Sequence, residues 1–139
     1  MPDINFFQEE TRFKLPHPRI TSRWIRGVVE SEKSSLVFIN YIFCSDKYLK
    51  RINLEYLAHD TFTDIITFDY GDSTGIQGDV FISIDRVKEN SQKFETTFDD
   101  ELHRVVVHGV LHLLGYSDKT KAAKSLMRKK EDAYLSLRR

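Results

Sequence analysis

Cysteine is almost missing from this chain, and with it go several protein classes. Cys44 is the only thiol among 139 residues, which excludes an internal disulfide and any cysteine-held metal cluster. No apolar run approaches the ~20 residues that span a bilayer. The start, MPDINFFQEE, lacks the basic residues and apolar stretch of a signal peptide. A cytoplasmic protein without a membrane partner is therefore expected. Proline is scarce too, with Pro16 and Pro18 standing close together near the start, and no repeat, low-complexity segment or Pro, Gly or Ser-rich linker divides the chain. One domain over 1–139, long enough to bury a core, is the expectation.

Net charge is also absent, but its distribution is uneven. Residues 1–118 carry 13 Lys and Arg against 19 Asp and Glu, whereas residues 119–139 carry 8 against 2. Such a basic segment suits an anionic partner, because Lys and Arg gain affinity by releasing phosphate counterions. It equally suits a solvated helix face.

Periodicity gives the elements. Residues 3–8 alternate weakly, as an edge strand does. From Arg19 to about Glu32, Ile20, Trp24, Ile25 and Val28 recur at helical spacing. SLVFINYIFC (35–44) is rich in β-branched and aromatic residues and predicts a strand. Asp46 to Leu57 reads as a helix with Leu49, Ile52 and Tyr56 inward. TDIITFDY (63–70) and GDVFISI (78–84) read as strands joined into a hairpin by the short connector 71–77. Helices follow from Arg86 to Phe94, from a Thr97 cap to Gly115, and from Thr120 to Leu137 with Ala123, Leu126, Met127, Tyr134 and Leu137 as a buried stripe. The expected fold is α+β: a mixed sheet of about four strands flanked by helices, with a metal-binding helix in the core.

That helix carries HGVLHLLGYSD (108–118). His108 and His112 stand four residues apart, so both imidazoles project from one face toward a single ion. Gly115 lets the helix stop and the chain turn back, and Asp118 is the nearest candidate for a third ligand. Two of five histidines fall four apart by chance often enough that an ordinary core or surface pair is the plain alternative. The apolar flank, the terminating glycine and the carboxylate beyond it favour the metal. A peptidase of the HExxH type is disfavoured, since Gly109 occupies the position of its general base. A two-His, one-Asp centre leaves an open coordination position suited to hydrolysis. Non-haem iron enzymes share the ligand set, so the residues do not fix the metal.

The remaining candidates have simpler readings. His103 lies around the other side of the helix and reads as structural or supporting. His59 belongs to a polar loop, and His17, before Pro18, to the start of a helix. Cys44 reads as a core thiol. Asp64 and Asp79, placed at strand starts, either cap turns or line a cleft.

Taken in order, HGVLHLLGYSD resembles the HGxLHLxGYDH signature of the YbeY family, TDIITF (63–68) its TDVLSF, and GDVFIS (78–83) its GDIxIS. His103, Met127 and Glu131 also fall at family positions, and the resemblance covers about residues 35–137. It implies a zinc-dependent, single-strand-specific endoribonuclease. The implied partners are ribosomal RNA and the small ribosomal subunit, with roles in maturing the small-subunit RNA 3′ end and in ribosome quality control. The ligands to one zinc, or another divalent ion, would be His108, His112 and Asp118, and catalysis would run through them. No residue is an evident general base, and the metal-bound water itself, Asp64 or Asp79 could fill that role. Two departures stand out. Asp118 replaces the family's third histidine, and Leu57 replaces an arginine implicated in cleavage. The basic residues that follow the third ligand, Lys119, Lys121, Lys124 and Arg128, are candidates for holding RNA. Two rival readings remain open at this level: a ribosome-assembly factor with a structural metal, which the missing arginine favours, and a metal hydrolase for another substrate.

Overall fold

Strand alternation sets the two faces of the molecule. The computed structural model describes residues 3–59 and 63–138. β1 (Ile4–Glu9), β2 (Leu36–Cys44), β3 (Ile65–Asp69) and β4 (Ile76–Ser83) form one mixed sheet in the order β1-β2-β4-β3. β1 and β4 run parallel to β2, and β3 is antiparallel to β4. Because successive side chains alternate, Ile39, Tyr41, Phe43, Val80 and Ile82 point to one face and join the large core. Cys44, Ile66 and Phe81 point to the other.

Five helices complete the α+β domain: α1 (Pro18–Ser31), α2 (Asp46–Leu57), α3 (Ile84–Lys93), α4 (Phe98–Leu113) and α5 (Lys121–Ser136). α4 lies in the middle of the larger core, against β3 and β4 and between α1, α3 and α5. Its Leu102, Val105, Val106, Val107, Val110 and Leu111 are all buried, each worth about 1.5–3 kcal/mol of burial. Tyr41 ties β2 to it by donating its hydroxyl to the Val106 carbonyl at 2.9 Å. α2 covers the opposite face, where Leu49 packs on Cys44 and Ile66. Burial there pushes the Cys44 thiol up to about 12, with Asp85 and Asp46 adding to it, so the thiol stays protonated.

Gly109 explains how close α4 comes to the sheet. A Cβ there would meet Val80 Cγ1 at 2.8 Å and Ile65 Cδ1 at 3.3 Å. The glycine that breaks the peptidase motif is therefore a packing requirement of this fold.

The expected hairpin forms, with one strand starting earlier than expected. β4 starts at Ile76, inside the expected connector, because it pairs with Leu36 on β2 as well as with β3. Asp79 consequently sits in mid-strand rather than at a strand start. Four expected inward residues are exposed: Ile20, Tyr56, Leu126 and Leu137. The cause on α5 is a narrow contact face, although Trp24 of α1 also donates to the Tyr134 carbonyl at 2.9 Å. α5 meets α4 along the narrow stripe Met127, Glu131 and Tyr134, and leaves the flanking apolar positions in water. Among the described residues, no helix is long and apolar enough to cross a membrane.

Candidate metal centre

α4 is built to end where its histidines are needed. Thr97 caps its start by accepting from the Asp100 amide at 3.0 Å, and Asp99, Asp100 and Glu101 face the positive end of the helix dipole. At the other end, Gly115 adopts a φ of 103°. Its amide donates to the His112 carbonyl and the Tyr116 amide to the Leu111 carbonyl, both at 3.0 Å. This Schellman turn reverses the chain and carries Asp118 back over the helix. Asp118 Oδ2 then lies 3.5 Å from Nε2 of His108 and 3.5 Å from Nε2 of His112.

These three donor atoms all lie within 4.8 Å of one another. Bonds of about 2.0–2.2 Å in tetrahedral geometry place ligand atoms about 3.3 Å apart, so the donors fit one divalent cation with little movement. Their chemistry fits as well: two imidazole nitrogens and one carboxylate oxygen.

Glu131 fixes the imidazole that faces this centre. It is buried on α5, and its Oε2 meets His108 Nδ1 at 2.6 Å while its Oε1 accepts from Arg104 at 2.8 Å. Arg104 reaches on to Asp132 at 2.7 Å. A proton held on Nδ1 by Glu131 leaves Nε2 as the lone-pair nitrogen that a metal requires. Burial opposes charge on His108, but Glu131, Asp118 and Asp64 outweigh it and hold its pKa above the ordinary value. Burial and the neighbouring His108 push His112 down. Glu131→Gln is expected to weaken zinc binding by about 10–100-fold, measured by competition with a chelating indicator. Unchanged affinity would show that the imidazole needs no such support.

The centre opens into a cleft of about 770 Å³. Asp64 forms part of its wall. Its carbonyl accepts from the Ser83 amide, its carboxylate is reached by Asn90 at 3.5 Å, and burial raises its pKa. Glu101 also lines the cleft, and burial raises its pKa against the pull of Arg104. Asp79 lies elsewhere. It pairs with Asn40 and Phe68 in the sheet, on the face opposite α4, where its carboxylate accepts from Asn40 at 3.1 Å and from Tyr70 at 3.0 Å.

Of the basic candidates, Arg128 lines the cleft, while Lys119, Lys121 and Lys124 are exposed outside its lining. Among the described residues Arg128 forms no ion pair, although Glu101 feels its charge. Lys130 from the same helix is drawn away to Glu32 at 3.0 Å. Leu57 and His59 also reach the cleft. His103 packs instead against Trp24 and bonds the Asp99 carbonyl at 2.7 Å, a structural role.

Arg104, Glu101 and the bond from Glu131 to His108 escape a reading of the sequence by periodicity. One signal was present: Glu131 interrupts an apolar stripe between Met127 and Tyr134, and a carboxylate in such a place needs a partner.

Fold and donors together define a class: an α+β protein whose central helix and its returning loop present two histidines and a carboxylate able to take one cation. The family model described as Endoribonuclease YbeY matches residues 4–138, and the chain belongs to that family. It is 53% identical over 137 residues to Endoribonuclease YbeY of Cytophaga hutchinsonii, covering 98% of this chain and 96% of the relative. The Amoebophilus asiaticus Endoribonuclease YbeY is 49% identical, with 97% and 94% covered. The solution structure of TM1509 from Thermotoga maritima superposes with a TM-score of 0.67 at 27% identity, covering 96% of this chain and 87% of the other.

Proposed function

We infer that residues 1–139 form a metal-dependent endoribonuclease domain that cuts single-stranded RNA in the cytoplasm. The substrate of this reading is ribosomal RNA, at the 3′ end of the small-subunit species, and ribosome quality control is the accompanying role. One observation carries it: the His108, His112 and Asp118 donors converge at a cleft in a chain of the YbeY endoribonuclease family.

His108, His112 and Asp118 would hold the ion. Zinc suits two imidazoles and a carboxylate, and other divalent ions accept them. When bound, the cation supplies Lewis acidity and lowers the pKa of a nucleophilic water. Asp64 moves the proton, since it lines the cleft and Asp79 does not. Arg128 meets the phosphodiester charge, the task that Leu57 leaves open, and Lys119, Lys121 and Lys124 meet flanking phosphates of a strand bound to the small-subunit particle.

The leucine at position 57 favours a second reading, in which the metal is structural and the chain binds RNA or protein during ribosome assembly. Three donors rather than four favour catalysis, because structural zinc sites are closed. The test is to incubate the purified protein with ribosomal RNA precursor and with a duplex of the same sequence, before chelation, after it, and after zinc return. Single-strand cleavage that stops and resumes is the expected result. Binding without cleavage at full metal occupancy would support the second reading, and cleavage that survives chelation would overturn both.

A further inference from the structure

The cleft has a polar floor and a mixed wall, in which apolar side chains stand beside Asp64 and Asn90. His108, His112, Asp118 and Glu131 stand on the floor, and Leu57 and Phe94 belong to the wall. The wall follows from topology. α2 and α3 begin side by side after the parallel strands β2 and β4, where Asp46 accepts from Ser83 at 3.0 Å and from Arg86 at 2.7 Å. Both helices then end at the cleft, with Leu57 as the last residue of α2 and Phe94 just beyond α3.

Phe94 is held firmly by its backbone and hardly at all by its ring. Its amide donates to the Asn90 carbonyl at 2.9 Å, and Asn90 in turn reaches Asp64 in the cleft wall. The residue as a whole remains 57% exposed. Among the described residues it is the only phenyl, phenol or indole group lining the cleft, and no aromatic ring stacks on it. Lys93 places its ammonium 5.7 Å from the ring centroid. A single exposed phenylalanine is ordinary on a protein surface. One fixed in the wall of a cleft whose floor gathers metal-binding donors, with a cation beside it, is a different arrangement.

We propose that Phe94 is a stacking platform for a nucleobase of single-stranded RNA, with the neighbouring phosphate directed toward Arg128 and the donor floor. The proposal rests on the endoribonuclease reading. Ring faces accept any unpaired base, whereas a base in a duplex has both faces covered by its neighbours. The platform therefore selects for single strands without reading sequence, and Lys93 adds a charge for the backbone that follows the stacked base.

The test is abasic scanning by fluorescence anisotropy in chelator, where the RNA stays whole, and by cleavage kinetics in zinc. Wild-type protein is expected to lose roughly tenfold in affinity when one particular nucleotide lacks its base. Phe94→Ala and Phe94→Leu should bind the intact strand roughly tenfold more weakly and become indifferent to that abasic position. In cleavage the loss should fall on KM. Phe94→Trp should restore binding, and its indole should be quenched by RNA, reported apart from the single buried Trp24. Melting of each variant confirms that it is folded. If Phe94→Ala matches wild type, or keeps its sensitivity to the abasic position, the platform is absent. If wild-type protein neither binds nor cuts RNA, the endoribonuclease reading itself fails, and the platform falls with it.

Discussion

Replacing His112 with alanine is expected to lower RNA cleavage by about three orders of magnitude or more, because a cation held by His108, His112 and Asp118, which would take the pKa of water from about 15.7 to about 7, would lose one of three protein ligands. His112 is the donor to remove. His108 is also hydrogen-bonded to Glu131 and reports on that support, whereas the polar contact of the His112 ring is with Asp118. The ring is partly exposed, so its loss leaves the core of α4 intact. Metal content measured on the same preparation should fall with activity. Full metal content with no cleavage would assign His112 a role other than ligation, and full cleavage would remove the centre from the mechanism.

Asp118 refines this expectation. Its Oδ2 is equidistant from the two imidazole nitrogens, so Asp118→Ala should release the ion. Asp118→His should retain it if position 118 is a ligand position that accepts either residue type. Equal loss in both variants would mean that the Gly115 turn is shaped for a carboxylate alone.

Much of this was legible because it is local. The spacing of His108 and His112, the stop at Gly115, the Thr97 cap and the alternation in β2 and β4 all act within a few residues. The balance of the site depends on residues far apart in the chain: Arg104 with Glu131, and Phe94 brought to the donors only because α2 and α3 end together. Position along the sheet, not parity, separates Asp64 from Asp79. Asp64 precedes β3 and lines the cleft, whereas Asp79 lies in the middle of β4 and faces away from α4. The basic segment likewise does not act as one. Position along α5 takes Arg128 to the cleft and Lys130 to Glu32, and leaves Lys121 and Lys124 in solvent, as Lys119 is in the preceding loop.

Glu32 marks the other large effect. It follows α1, yet it accepts hydrogen bonds from Tyr116 in the loop that carries Asp118, and from Tyr134 and Lys130 on α5. Burial opposes its charge, but these three donors outweigh burial and hold its pKa below the usual carboxylate value. In return, burial and Glu32 push Tyr134 up to about 12. Glu32→Ala leaves two phenols and an ammonium without their acceptor. The expected loss is about 2 kcal/mol, below the roughly 3–5 kcal/mol of a fully buried pair, because Lys130 is 33% exposed. That corresponds to a fall in Tm of roughly 5–8 °C. Because the folded pKa is depressed, the contribution is complete above the unfolded value of about 4.3 and is lost as pH falls through the folded one. Wild type and Glu32→Gln should therefore converge in stability toward acid and separate at neutral pH. Tyr116 lies two residues before Asp118, so the alanine variant should also bind zinc more weakly. Unaltered Tm and metal affinity would show that the Schellman turn at Gly115 alone is enough to place the third donor.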